Sequence, residues 1–369
     1  MGDNTFGTRF KITSFGESHG KVIGVIVDGC PAGLEFDLDF IQNELNKRRP
    51  GQSHLTTSRS ESDKAMVLSG IFNRKTTGAP ICLIVENEDV DSSKYEKFKE
   101  VLRPSQVDYT ALNKYGGFAD YRGSGRFSGR ITAGFVMAGA IAKQVLAEYD
   151  ISIFAYTKSI GKIVDEEEYL VEDIRKIIDL REKSPIRALN SKKSKLMEQE
   201  IEEVKNQKDS IGGTIKCIVN NFPEGVGGPI FNSLESNISK AIFSIPAIKG
   251  IEFGAGFQAA KMKGSEHNDP WLIKDGKIQT TKNDSGGIIG GISTGMPIEF
   301  CVAVKPTATI GIPQKTVNIE KMEDTEIEIT GRHDPCIVPR AIVVVEAMTA
   351  IVLLDFLLIE GVIPSVFKS

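Results

Sequence analysis

The chain has few cysteines, no excess of positive charge, no apolar start and no uninterrupted long hydrophobic run. Its five cysteines, at 30, 82, 217, 301 and 336, are scattered. No two lie within a few residues of each other, which excludes a Cys-x-x-Cys zinc or redox pair and leaves no metal site to expect. An odd, scattered set reads as reduced thiols, and a cytoplasmic protein is the expectation. Met1 to Arg9 is polar and lacks the apolar segment of a signal peptide. A formal net charge of −4 argues against a general nucleic-acid binder. The most apolar stretch, Ala341 to Ile359, is interrupted by Glu346 and Asp355. A carboxylate near mid-bilayer is expensive, so this stretch reads as a buried helix and no membrane contact is expected. No long Pro/Ser linker divides the chain, so residues 1–369 are expected to form one domain. Lys183 to Lys208, the most polar stretch, is expected to be an exposed insertion.

Hydrophobic residues make up 40% of the chain and charged residues 25%, enough apolar material for a globular core. Ile- and Val-rich runs bounded by Gly, Pro and Asn predict strands over Val22–Asp28, Ile81–Glu86, Ile151–Tyr156, Thr214–Val219 and Ile298–Val304. Helical spacing predicts helices over Asp39–Arg49, Thr132–Glu148, Val171–Arg181 and Ser194–Gln207. The Ala- and Gly-rich Thr132–Glu148 can pack closely and reads as central. Two pairs of segments repeat in the same order. Ile26–Gly33 resembles Ile218–Gly225, and Thr77–Ile81 resembles Thr294–Ile298. A duplicated strand–turn–helix unit with pseudo-twofold symmetry follows, in an integrated α+β body.

Three motifs invite a functional reading. Gly16-Glu17-Ser18-His19-Gly20 fits a G-x-S-x-G nucleophile elbow, but that motif needs a helix straight after the serine, and Lys21–Asp28 reads as a strand. The turn still presents His19 at an exposed bend. Gly254–Ala259 fits G-x-G-x-x-A, but Gly264, Asn268 and Pro270 follow too soon for a dinucleotide-binding helix. Arg122-Gly123-Ser124-Gly125-Arg126-Phe127-Ser128-Gly129-Arg130 runs directly into the helix from Thr132. Its glycines let backbone N–H groups approach an anion, its arginines can bind phosphate in two-point fashion, and the helix start favours negative charge. That reading is preferred over an RNA-binding Arg/Gly tract, which would be disordered. Further cations stand in Arg48-Arg49-Pro50-Gly51, Arg103-Pro104, Lys305-Pro306-Thr307 and Gly331-Arg332-His333-Asp334-Pro335. If they converge, they suit a ligand of high negative charge.

Taken in order, FGESHG (Phe15–Gly20), RRPGQ (Arg48–Gln52), RGSGRFSGR (Arg122–Arg130), SIPAIKGIEFGAGF (Ser244–Phe257), GGISTGMPI (Gly290–Ile298) and GRHDPCIVPRA (Gly331–Ala341) resemble the chorismate synthase family across almost the whole chain. The resemblance implies a β–α–β sandwich, with helices between antiparallel sheets, assembled as a homotetramer. It implies a lyase of aromatic amino acid biosynthesis that uses reduced FMN without consuming it. The reaction is an anti-1,4-elimination of phosphate from 5-enolpyruvylshikimate 3-phosphate. It also implies roles. Arg48, Arg103, Arg130 and Arg332 match substrate-binding positions. Arg126, Phe127, Ser128, Pro246, Ala247, Gly290, Lys305, Pro306, Thr307, Ala308, Thr309 and Arg332 match flavin positions. His19 matches the histidine near the leaving phosphate, and Asp334 the carboxylate beside flavin N5.

Three residues depart from the family pattern. Gln106 replaces the histidine that meets the reduced flavin; an amide donates a hydrogen bond but delivers no proton near neutral pH. Phe127 replaces a serine. His54 replaces an arginine which, with Arg48, is associated with the reducing nicotinamide, NADPH. An external flavin reductant is expected, since no nicotinamide-binding domain is evident. The departures leave open a flavin-binding paralogue with weak or no lyase activity, and an RNA-binding protein using the Arg/Gly tract stands as a second alternative.

Overall fold

Two antiparallel sheets enclose a layer of helices in the computed structural model, which describes residues 2–51, 55, 61–88, 91–169, 174–329 and 334–368. The first sheet contains β1 (Thr5–Phe6), β2 (Lys11–Gly16), β3 (Val22–Asp28), β4 (Met66–Val67) and β7 (Ile81–Glu86), with the hairpin β5–β6 (Ile71–Phe72, Lys75–Thr76) beside it. The strand order is β1-β2-β3-β7-β4. The second sheet contains β8 (Ser152–Ile160), β9 (Ile163–Val164), β10 (Gly213–Asn220), β11 (Ile248–Phe253) and β16 (Ile298–Val304), in the order β11-β16-β10-β8-β9. Three hairpins decorate this body: β12–β13 (Trp271–Lys274, Lys277–Thr280), β14–β15 (Ile288–Ile289, Ile292–Ser293) and β17–β18 (Gln314–Asn318, Glu323–Ile327).

The helices are α1 (Leu38–Arg48), α2 (Asp108–Tyr115), α3 (Thr132–Ala147), α4 (Ile174–Lys183), α5 (Ser191–Asn206), α6 (Leu234–Phe243), the one-turn α7 (Gly264–His267) and α8 (Val338–Ile359). Strand alternation sends Ile23, Val25 and Val27, with Ile81, Leu83 and Val85, onto α3. The same alternation in the second sheet sends Ile215, Cys217 and Val219 toward α8. α3 and α8 pack on each other at close range. A methyl at Gly139 would sit 2.3 Å from the Cβ of Ala347, so only glycine fits. α8 is the apolar stretch seen in the sequence, and it is buried in the protein. Its two carboxylates are satisfied internally. Glu346 accepts from Lys143 and Arg181 at 2.6 Å each and from the Ala155 N–H at 2.8 Å. Asp355 accepts from the N–H groups of Thr8, Arg9 and Phe10.

The duplication is written in the hydrogen bonds. Val27 faces Ile81 in the first sheet as Val219 faces Ile298 in the second. Thr76 Oγ1 donates to Pro31 O at 2.6 Å, and Ser293 Oγ donates to Pro223 O at 2.5 Å. The Thr77 N–H bonds to Gly70 O as the Thr294 N–H bonds to Gly287 O.

Some segments differ from the sequence reading. β8 runs four residues beyond Tyr156, because β10 pairs with it along its whole length. α4 is described from Ile174, and the start expected at Val171 lies outside the described residues. The stretch Lys183 to Lys208 is only partly exposed. α5 lies on the surface, but Ile186, Arg187, Ala188 and Leu189 are buried. Two bonds dock this segment along β8: Thr157 N–H to Arg187 O at 3.0 Å, and Thr157 Oγ1 to Ile186 O at 2.5 Å.

Candidate active site

A cavity of about 1110 Å³ opens where the first turns of α3 and α8 meet the last turn of α1. Two helix N-termini therefore face it, and their unpaired N–H groups make it attractive to anions before any side chain is counted. Pockets for a single drug-sized ligand run from about 300 to 1,000 Å³, so this cavity lies at the upper end of that range.

Most of the residues singled out in the sequence come together on its wall: His19, Arg48, Arg103, Gln106, Arg130 and Asp334 on the polar side. Arg126, Phe127, Ser128, Pro246, Ala247, Lys305, Thr307, Ala308 and Thr309 also reach it, while Pro306 only links Lys305 to Thr307 behind the wall. Gly290 does not reach it; it lies in the turn of the β14–β15 hairpin, so this chain does not offer it to a ligand in its own cavity. His54 and Arg332 lie outside the described residues.

The Arg/Gly tract is folded, not a free RNA-binding tail. Arg122–Phe127 and Gly129–Ile131 form two short 3-10 turns that lead into α3, with Gly123 and Gly125 buried. Gly123 has φ 57°, and a Cβ there would meet the His19 ring at 2.3 Å. The glycine is thus needed for the histidine to lie against the tract. His19 sits on the turn that joins β2 and β3 in a hairpin, so a strand follows it and not the helix that a nucleophile elbow needs. Its Nδ1 lies 2.9 Å from Ser92 Oγ, and its ring meets Tyr95 edge-on.

The guanidiniums are held by carboxylates that the sequence did not single out. Arg48 Nη2 donates to Asp63 Oδ2 at 2.7 Å, and Arg130 Nη1 bonds the other oxygen of the same carboxylate. Burial raises the Asp63 carboxyl, but Arg48 and then Arg130 outweigh it and hold it below its usual range. Burial also lowers the Arg48 guanidinium, against the pull of Asp63. Arg48 Nε is buried with no partner among the described residues. Arg103 grips Asp108 with two bonds, at 2.9 and 2.6 Å, and lies 4.6 Å over the Phe98 ring. Arg126 is turned away, donating to Gly16 O at 2.8 Å and Asn4 Oδ1 at 2.9 Å.

Three further groups set the geometry. Asn87 donates to Glu17 O and Gly20 O, and accepts from Arg130 Nε at 2.9 Å, tying the His19 turn to Arg130. Arg340 bonds Asp334 Oδ2 at 2.5 Å and donates through Nε to Arg48 O at 3.0 Å. Gln106 Nε2 donates to Thr309 Oγ1 at 2.9 Å. Ile245, Pro246, Ala247, Ile337 and Val344 add apolar surface to the wall. A flat aromatic ring system bearing a phosphate chain fits such a site: the wall accepts its face, while Lys305 and the helix starts accept its charge. Burial, with Lys249 nearby, lowers the Lys305 ammonium.

Comparison with known proteins agrees. Residues 10–358 match the chorismate synthase family model. The chain belongs to the chorismate synthase family. It is 51% identical to a chorismate synthase of Dehalococcoides mccartyi, over 99% of this chain and 100% of the relative. It is 50% identical to one of Korarchaeum cryptofilum, over 97% of this chain and 98% of the relative. A crystal structure of chorismate synthase superposes with a TM-score of 0.77 and 31% identity, covering 96% of this chain and 93% of that one. Chorismate synthases are lyases, and this chain shares their fold.

Proposed function

We propose that the enzyme converts 5-enolpyruvylshikimate 3-phosphate to chorismate and inorganic phosphate, with the cavity holding both reduced FMN and substrate. The supporting observation is the convergence of Arg48, Arg103, Arg130, His19 and Asp334 on one cavity from five distant stretches of chain. The substrate carries two carboxylates and a phosphate, and the flavin adds another phosphate. A dry site holding both needs many cations, and two-point guanidinium contacts suit them.

Arg48, Arg103 and Arg130 bind the substrate's anionic groups and fix the ring, with Arg332 as a fourth cation. His19 stands by the departing phosphate, where an imidazolium stabilises the dianion. Asp334, held by Arg340, receives the C6 proton. The C3–O and C6–H bonds break and a ring double bond forms, so the sequence is redox-neutral overall. When bound, reduced FMN supplies electron density to the substrate as phosphate leaves. Ser128, Pro246, Ala247, Lys305, Thr307, Ala308 and Thr309 would hold it, with the Gln106 amide as a further hydrogen-bond donor beside Thr309. Arg126 and Phe127 flank the same wall. The reductant is external, with NADPH as a candidate donor, and the chain works as a cytoplasmic homotetramer.

Photoreduced FMN and 5-enolpyruvylshikimate 3-phosphate, mixed anaerobically with the protein, are expected to give chorismate and phosphate in equal amounts. Flavin binding without chorismate would overturn this reading.

A further inference from the structure

We propose that Arg187, which does not stand among the described residues lining the cavity, is a positioning residue for it. This rests on the function proposed above and extends it to a residue outside the cavity wall. Arg187 is 7% exposed, on the buried segment that docks along β8. Its Nη2 donates to Lys47 O at 2.8 Å and its Nη1 to Pro339 O at 2.9 Å.

Those two carbonyls lie one residue from the groups that matter. Lys47 precedes Arg48, whose side chain enters the cavity at the end of α1. Pro339 precedes Arg340, which holds Asp334. The last carbonyls of a helix have no donor within it, and a cation there is favourable. At the end of α1, Arg187 takes the carbonyl of Lys47 and Arg340 takes that of Arg48. Two guanidiniums thus weld the C-terminus of α1 to the N-terminus of α8. The forked guanidinium reaches both chains at once, whereas a lysine ammonium is a single point charge.

Three proteins test this: Arg187→Met, Arg187→Lys and, as a control for lost stability, Asp355→Asn. Asp355 sits near the far end of α8 and, among the described residues, bonds the Thr8–Phe10 stretch. All are assayed well below their melting temperatures. Both Arg187 variants are expected to lower kcat/KM by roughly 10²-fold, because small misplacements at a reacting centre act on that scale. The larger share falls in KM. They also weaken the Kd for 5-enolpyruvylshikimate 3-phosphate measured calorimetrically, and speed amide exchange at 47–49 and 340–341. Asp355→Asn lowers Tm but leaves all three readings alone. Unchanged exchange, or faster exchange with unchanged Kd and kcat/KM, overturns the inference. If the unaltered protein forms no chorismate, the proposed function fails. Exchange and Kd then decide the role of Arg187.

Discussion

Arg48 and Arg130, two guanidiniums that would otherwise repel, share the single carboxylate of Asp63. The Asp63 side chain is wholly buried, and Arg48 is 3% exposed. Removing one member of such a group leaves uncompensated buried charge, worth about 3–5 kcal/mol. Asp63→Asn is therefore expected to lower stability by that order in urea unfolding of the ligand-free protein. Inorganic phosphate should restore part of the loss in the variant by binding Arg48 and Arg130 from the cavity side. A stability unchanged by the substitution would show that the two arginines need no shared anion.

Gln106 bonds Thr309 at 2.9 Å and cannot titrate near neutral pH. Gln106→His introduces a group with an ordinary pKa of about 6.5. The kcat–pH profile should gain an ionisation in that region in addition to the one His19 gives the unaltered enzyme. Superimposable profiles would remove Gln106 from the flavin's neighbourhood.

Glu346 lies in the helix layer beside Lys143 and Arg181. Burial raises its carboxyl, but Lys143 and then Arg181 bring it down from 4.5 to about 2. A depressed carboxyl contributes stability above its unfolded pKa and loses it as pH falls toward the folded value. The urea midpoint should drop between pH 4.5 and 2, and the drop should be shallower in Glu346→Gln. At pH 7 that variant should be less stable by up to about 3–5 kcal/mol, since Lys143 and Arg181 each lose one carboxylate and keep only Glu44 and Glu182 among the described residues.

Phe127 is 40% exposed on the cavity wall, with its ring 6.2 Å from that of Tyr115. Phe127→Ser adds a hydroxyl where the family usually has one. One extra neutral hydrogen bond, about 1 kcal/mol, should tighten flavin binding about fivefold in fluorescence titration. Weaker binding would show that the ring itself stacks on the ligand.

Much of this was legible in the chain. Alternation and turn residues placed β3, β7, β10 and β16 within a residue or two, and the paired turns announced the duplication. The cation-bearing segments were visible because glycine and proline mark them. Asp63, Asn87 and Arg340 were not, since each acts on a partner brought near only by folding. Arg187 was hidden by its company: a lysine-rich stretch reads as solvated on average, while four consecutive residues within it are buried. Gly290 came from resemblance alone, and the single chain does not bring it to its cavity.

The hydrogen at position 139 has reach beyond its own contact. It lets α3 and α8 lie backbone against side chain, and both helices begin at the cavity rim, where Ile131, Thr132, Ile337 and Ala341 stand. Thr132 is seven residues upstream, about 10 Å along the axis. Any larger group would wedge the helices apart and splay the mouth of the binding chamber, however faithfully every ligand-touching residue were kept. The gauge of the doorway is fixed deep inside by the omission of a methyl group.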